Sequence, residues 1–289
     1  MYKFMSFKIA LTIHKKENML ENEIGTRCSM KRKIRAVFTD IDGTLYSHET
    51  GMIPLSALGA IQKAKEKGVL VFAATGRHML EIRDLGIELK LDGWITLNGA
   101  LCFSGKEIFH KDPVAKEDIA VLLEVLEEVK FPVQFMEKDL MYINMDDEAV
   151  RKALSSIHTP YPEIIDPKRA LDHDTYMIIP WVKEEIWSRA FQKMKHLKYT
   201  RWNDLAVDAM NIACGKKNGV SAACAYYGID PAETMAIGDG PNDLELFEAC
   251  GLSIAMGNSE ESVKKAADEV TGHIDQDGFA EAFEKYIFD

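Results

Sequence analysis

Two aspartates, Asp40 and Asp42, follow the short apolar run Ile34–Thr39 and precede Gly43 and Thr44. Carboxylates so spaced can share one divalent cation and still do different chemistry. One can attack an electrophile as a nucleophile, and the other can carry protons to and from oxygen atoms. A solvated turn uses the same residue types. An EF-hand calcium loop does not fit, because Gly43 comes too early and no glutamate closes the loop. The stretch favours a phosphoryl-transfer site.

Three later fragments carry compatible chemistry. Thr75-Gly76-Arg77 ends the apolar run Val69–Ala74. A hydroxyl and backbone N–H groups at a helix start can hold a phosphate, although an N-cap followed by a surface arginine has the same appearance. Lys216, between Gly215 and a helical stretch, can neutralise a phosphate or hold an attacking carboxylate. Its alternative is a solvated lysine at a helix end. Gly238-Asp239-Gly240-Pro241-Asn242-Asp243 is the more specific signal, with Asp239 and Asp243 on a glycine-bracketed turn between an apolar strand and a helix. They suit one side of the oxygen shell of Mg²⁺, and helix capping is the plainer use of the same acids.

The elements that must position these residues can be read around them. Ile34–Thr39, Val69–Ala74, Trp94–Leu97, Thr234–Ile237 and Ser253–Met256 are short apolar runs of strand composition. Helical stretches near Ser56–Lys67, His78–Leu85, Lys217–Tyr227 and Leu244–Ala249 alternate with them, as in an α/β sheet. Asn98-Gly99 signals a hairpin back to Leu101–Phe103. Leu45–Ile53 reads as a short hairpin or flap beside the carboxylates. The character changes near Asp112, where a long amphipathic helix (Ala115–Lys130) leads into strand pairs and a proline-rich loop. The expected organisation is a core of residues 30–111 and 206–289, the α/β pattern resuming at Ala206, with an inserted α/β domain over 112–205.

The chain has 289 residues, 47% of them hydrophobic, enough for a sizeable core. Its net charge of −11 argues against general nucleic-acid or anionic-membrane binding. An anionic substrate is still compatible, since a bound cation and a few basic residues set the field of a pocket. The five cysteines (Cys28, Cys102, Cys214, Cys224 and Cys250) are scattered and form no C-x-x-C pair, as in a reduced, cytoplasmic protein. Residues 1–29 carry only a weak apolar run, too short to cross a membrane. They are expected to be a disordered extension or to lie upstream of the true start near Met30.

Taken together and in order, Asp40-Ile41-Asp42-Gly43-Thr44, Thr75-Gly76-Arg77, Lys216 and Gly238-Asp239-Gly240-Pro241-Asn242-Asp243 resemble the haloacid dehalogenase-like phosphohydrolases. Asn98-Gly99-Ala100 and the inserted block resemble the Cof-type branch with a class II cap. The resemblance implies a doubly wound, mainly parallel Rossmann-like α/β sheet with an inserted α+β cap. It implies an Mg²⁺-dependent phosphatase with Asp40 as nucleophile and Asp42 as acid and base. The metal would be held by an Asp40 carboxylate oxygen, the Asp42 backbone carbonyl and Asp239, with Asp243 behind, and Thr75 and Lys216 would hold the phosphate. Gly43, Gly76, Arg77, Asn98 and Asn242 would line the substrate site. The family pattern usually has Lys-Gly at the third motif, and here Lys217 follows Lys216, so the lysine is placed to within one position. The implied partner is a small phosphorylated metabolite, a sugar phosphate first of all, and the chain is expected as a monomer or small homo-oligomer. Tyr142, Trp181, Arg201 and Trp202 are the cap candidates for specificity. A phosphohexomutase would need a second phosphate site, for which the cap offers Lys183, Arg189, Lys193, Lys195 and Lys198. A catalytically idle binding module is the remaining alternative, and the presence of all four motifs argues against it.

Overall fold

The computed structural model describes residues 33–87, 89–156 and 159–289. The expected extension over residues 1–29 lies outside the described residues. The chain opens with β1 (Ala36–Thr39), α1 (Leu55–Glu66), β2 (Leu70–Ala74), α2 (Met79–Asp84), β3 (Gly93–Thr96), β4 (Leu101–Ser104) and β5 (Glu107–Lys111). Next come α3 (Lys116–Glu128), β6 (Val133–Met136), β7 (Met141–Ile143), α4 (Glu148–Ser156), β8 (Glu163–Ile164), α5 (Arg169–Asp172), β9 (Met177–Pro180), α6 (Glu184–Phe191), β10 (Leu197–Asn203) and β11 (Ala206–Asn211). It finishes with α7 (Lys216–Tyr227), β12 (Thr234–Gly238), α8 (Leu244–Ala249), β13 (Leu252–Ala255), α9 (Glu261–Ala266), β14 (Glu269–Val270) and α10 (Gly278–Phe283).

The strands form two sheets. The larger runs β14-β13-β12-β1-β2-β3-β4-β5, parallel as far as β3 and antiparallel beyond it. Its order reverses at β1, with β2 on one side and β12 on the other. In open α/β sheets such a switch point leaves a crevice at the carboxyl ends of the strands, where ligands bind. Both faces of β1 are covered. Val37, Val71, Met235 and Ile237 pack toward α1 and α10, while Ala36, Phe38, Phe72 and Ala236 pack toward α7 and α8. Double coverage is why these strands read as unbroken apolar runs.

The smaller sheet, β10-β11-β9-β6-β7-β8, is antiparallel except for the β7–β8 pair. One face, with Val133, Phe135, Tyr142 and Ile178, packs on α3 and α6. The other, with Met136, Met177, Ile179 and Met210, packs with Leu97, Ala100 and Leu101 at the β3–β4 turn. The α/β class with an inserted α+β cap is therefore present.

One boundary moves. Ala206–Asn211 does not resume the core. It pairs antiparallel with β10 and with β9, inside the cap sheet. Two residues separate β10 from β11, and so short a link can join only antiparallel neighbours. The β3–β4 hairpin expected at Asn98-Gly99 does form. Leu97 and Asn98 take φ of 52° and 53° there, and Gly99 takes 94°. A Cβ on Gly99 would stand 2.1 Å from the Gly215 carbonyl oxygen, so this turn presses directly on the start of α7.

Candidate active site

Asp40 leaves the tip of β1 and meets Lys216, the first residue of α7. The Lys216 ammonium donates to Asp40 Oδ1 at 2.7 Å and to Asp243 Oδ1 at 2.7 Å. All three side chains are buried, Lys216 to 1% exposure. Lys217 instead points outward and pairs with Glu248 at 3.0 Å. The geometry therefore puts Lys216, not its neighbour, beside the candidate nucleophile. Burial opposes the Lys216 charge, but Asp243 and Asp40 outweigh it and hold the ammonium above its ordinary range. Burial pushes the Asp40 carboxyl well up, and Asp243 adds to the push while Lys216 works against it.

Asp239 stands after β12. Thr44 donates to its Oδ1 at 2.9 Å, and burial, with Asp243 and Asp42 nearby, raises its carboxyl to about 6. Gly43 makes this approach possible. Its φ is +75°, and a Cβ there would lie 2.2 Å from Asp239 Oδ2. The Gly43 N–H donates to the Tyr46 carbonyl at 2.9 Å. The Gly43 carbonyl accepts from Asn258 Nδ2 at 2.8 Å.

Asp40, Asp239 and Asp243 each bring an oxygen within 4.8 Å of the other two. Crowded, buried hard-oxygen donors of this kind suit a divalent cation such as Mg²⁺. Asp243, expected to serve the metal directly or through water from behind Asp239, is already hydrogen-bonded at both oxygens. Its Oδ1 holds Lys216, and its Oδ2 accepts from the Asp239 and Gly240 amides at 2.9 and 3.0 Å. These bonds tie Lys216 to the turn that presents Asp239.

Asp42 is turned away from this cluster. Arg77 donates to both of its oxygens, at 2.7 and 2.8 Å, and His48 Nε2 lies 3.1 Å from Oδ1. The expectation gives this side chain the acid and base role and only the Asp42 backbone carbonyl to the metal, and the structure places the side chain against Arg77. Thr75 Oγ1 accepts from the Arg77 amide at 3.1 Å, while His78, not Thr75, caps α2 in a capping box with Glu81. Thr75, Gly76, Arg77 and Asn242 all border one cleft of about 1130 Å³ with Asp40, Asp42 and Asp239. Asn98 does not border it. Its amide packs against Gly76, and its Oδ1 is buried without a hydrogen-bond partner.

The cap closes the far side of the cleft with Met136, Met177, Ile179, Trp202 and Asp208. Of the four cap candidates only Trp202 is among them. Tyr142 stacks on Phe135 in the cap's helix-facing core, Arg201 pairs with Glu184, and Trp181 is buried behind Trp202. The strand alternation that hides Tyr142 was legible, but which sheet face carries the helices was not. None of Lys183, Arg189, Lys193, Lys195 and Lys198 borders the cleft. Lys193 pairs with Glu128 and Lys198 with Glu245. Thr44, His48, Glu81, Asp208 and Asn258 were missed. Thr44 and Asn258 follow strand tips, which was a usable signal; the other three had none.

Carboxylates, a buried lysine and a hydroxyl thus gather at the switch point of an α/β sheet under an inserted cap. A sequence model of the haloacid dehalogenase-like hydrolases matches residues 37–283. The chain belongs to that family. It is 30% identical over 249 residues to YkrA of Bacillus subtilis (strain 168), spanning 86% of this chain and 96% of YkrA. It is 29% identical over 252 residues to a phosphoglycolate phosphatase of Methanopyrus kandleri (strain AV19), spanning 87% and 96%. The solved structure of the subclass IIB sugar phosphatase BT4131 matches with a TM-score of 0.73 at 31% identity, covering 87% of this chain and 98% of that one. The family and the phosphatase class implied by the four motifs agree with these relatives. Among the described residues, no helix is long and apolar enough to cross a membrane.

Proposed function

We propose that the chain is an Mg²⁺-dependent phosphomonoesterase that works through an aspartyl-phosphate on Asp40. The observation that carries this is Asp40 itself, a buried carboxylate at the switch-point strand tip, held by Lys216 at 2.7 Å and open to the cleft. Asp40 attacks phosphorus. The P–O bond to the alcohol breaks as the bond to Asp40 forms, and the leaving oxygen takes a proton from Asp42. Water then attacks the phosphorus, gives a proton to Asp42, and releases inorganic phosphate and free Asp40. Thr75, the Gly76 amide and Lys216 hold the transferring oxygens. Arg77 exchanges Asp42 for a phosphate oxygen when substrate enters, which frees Asp42 to carry its proton. Asp40, Asp239 and the Asp42 main-chain carbonyl are the groups that would hold Mg²⁺. When bound, the ion offsets the repulsion between an anionic nucleophile and an anionic phosphate.

The substrate is read as a small phosphorylated metabolite, a sugar phosphate first of all. The absence of cap lysines or arginines from the cleft among the described residues favours one phosphate over two, hence hydrolysis over a mutase. Free thiols at Cys102, Cys214, Cys224 and Cys250 suit a cytoplasmic protein, monomeric or a small homo-oligomer. The test is Asp40→Asn. It should remove Mg²⁺-dependent phosphate release by at least about 10⁴-fold, the scale of losing a nucleophile, with an unchanged circular dichroism spectrum. Retained turnover would refute the nucleophile assignment.

A further inference from the structure

The cap wall of the cleft contains a carboxylate where its sheet face calls for apolar side chains. Asp208 lies on β11 between Ala206 and Met210, on the face that also carries Met136, Met177 and Ile179. Its neighbours Val207 and Ala209 turn to the opposite, helix-covered face. Setting a carboxylate in such surroundings is costly unless something pairs with it. One oxygen has a partner: Trp202 Nε1 donates to Asp208 Oδ1 at 2.7 Å. No ion pair to Asp208 exists among the described residues, and it borders the cleft.

Trp202 reaches Asp208 through a local irregularity. The β10–β11 register shifts between Arg201 and Asn203, so Trp202 is left out of the pairing. A bulge of this kind re-aims a side chain and is common beside active sites. Trp202 remains 42% exposed while bordering the cleft, and the buried Trp181 supports it edge-on at 5.6 Å. The result is an open indole face next to a carboxylate with one uncommitted oxygen.

The charged side chains that line the cleft are mainly acidic. Glu49, Glu81, Asp84 and Asp208 all border the cleft, and none forms an ion pair among the described residues. The cleft's arginine, Arg77, is taken by Asp42. Burial, with Glu81 nearby, pushes the Asp208 carboxyl up to about 7, as expected where no cation answers it. A carboxylate, an indole face and an unbalanced negative wall all favour a positive charge on whatever lies between them.

We propose that Asp208 and Trp202 select the leaving group of the substrate, and that they select an ammonium-bearing one: an amino sugar phosphate or a phosphorylated amino alcohol. The ammonium pairs with the free Asp208 oxygen and lies against the Trp202 ring, while the phosphate sits at Asp40. The assignment rests on the phosphomonoesterase reading and narrows its substrate.

The test uses the full chain with Mg²⁺ and three substrates: glucosamine 6-phosphate, glucose 6-phosphate and p-nitrophenyl phosphate. The wild type should show kcat/KM at least about tenfold higher for glucosamine 6-phosphate than for glucose 6-phosphate, an ion pair with a cation–π contact being worth that much or more. Asp208→Asn, which keeps the bond from Trp202, should bring the ratio toward one, mainly through KM for the aminated substrate. Trp202→Phe keeps a ring, loses the indole donor and should lower the ratio by a smaller factor. A wild-type ratio near one, or a tenfold ratio that Asp208→Asn leaves intact, overturns the proposal. p-Nitrophenyl phosphate separates the two levels: its hydrolysis with no preference for the ammonium sinks only the selectivity, whereas no hydrolysis of any of the three sinks the phosphatase reading.

Discussion

Replacing Lys216 with methionine would take the cation away from two buried carboxylates and leave their volume almost unchanged. Lys216 Nζ is 2.7 Å from both Asp40 and Asp243, and Asp239 lies beside them. Removing one partner of a buried ion pair typically costs about 3–5 kcal/mol, because the charge left behind has no water to replace it. At roughly 2–4 °C per kcal/mol for a chain of this size, the melting temperature should fall by about 6–20 °C at pH 8. The loss should depend on pH with a definite sign. Without the ammonium, the Asp40 carboxyl, already held up by burial, rises further above its unfolded value. An acid whose folded pKa is raised contributes stability at low pH and loses it as pH rises. The deficit relative to wild type should therefore shrink at pH 5 and widen toward pH 8. Adding Asp243→Asn to Lys216→Met removes one stranded charge and should recover much of the loss. Thermal melts of the two variants and of Lys217→Met, whose side chain is 50% exposed, suffice. The reasoning fails if Lys216→Met melts within 2 °C of wild type, if its deficit is the same at pH 5 and pH 8, or if Lys217→Met behaves like it.

Gly43→Ala forces a strained backbone and a Cβ into the space of Asp239 Oδ2, and should lower kcat/KM by at least about 100-fold with a raised Mg²⁺ requirement, read from magnesium titrations of activity. Chelation should abolish turnover, and Mg²⁺ at 100 times its Kd should stabilise the wild type by about 2.7 kcal/mol in calorimetry, an increment lost in Asp239→Asn. His78 accepts from the Leu80 amide at Nδ1, so Nε2 carries the proton donated to the Glu137 carbonyl at 2.7 Å, tying α2 to the cap. Burial lowers the His78 pKa from 6.5, so its contribution is full above that value and is lost as pH falls below it. His78→Gln should therefore narrow the stability gap to wild type between pH 7 and pH 5, measured by urea unfolding.

The four motifs were legible because each sits where a buried strand or a helix start breaks into glycine and polar residues, and such breaks leave a plain trace in sequence. Asp40, Thr75, Lys216 and Asp239 do gather at one sheet edge. What a motif cannot show is which hydrogen bonds its members have already made. That Asp243 would stand behind Asp239 is readable from the motif, but not that its oxygens hold Lys216 and two amides. Nor does the motif show that the Gly43 N–H is bonded to the Tyr46 carbonyl. The cap was less legible for a different reason. Ala206–Asn211 has the composition of a core strand, and only its two-residue link to β10 assigns it to the cap. Trp202 and Asp208 meet through a register shift, which leaves no mark in composition or periodicity.

The central claim is that Asp40 carries the phosphoryl group during turnover. It is tested most directly by quenching the enzyme in acid during steady-state hydrolysis, reducing with borohydride and sequencing the peptides by mass spectrometry. Borohydride converts an aspartyl-phosphate to homoserine, so homoserine should appear at position 40 in the wild type with substrate. It should be absent without substrate and in Asp40→Asn. Conversion at a different aspartate, or phosphate release with position 40 unmodified, would contradict the account.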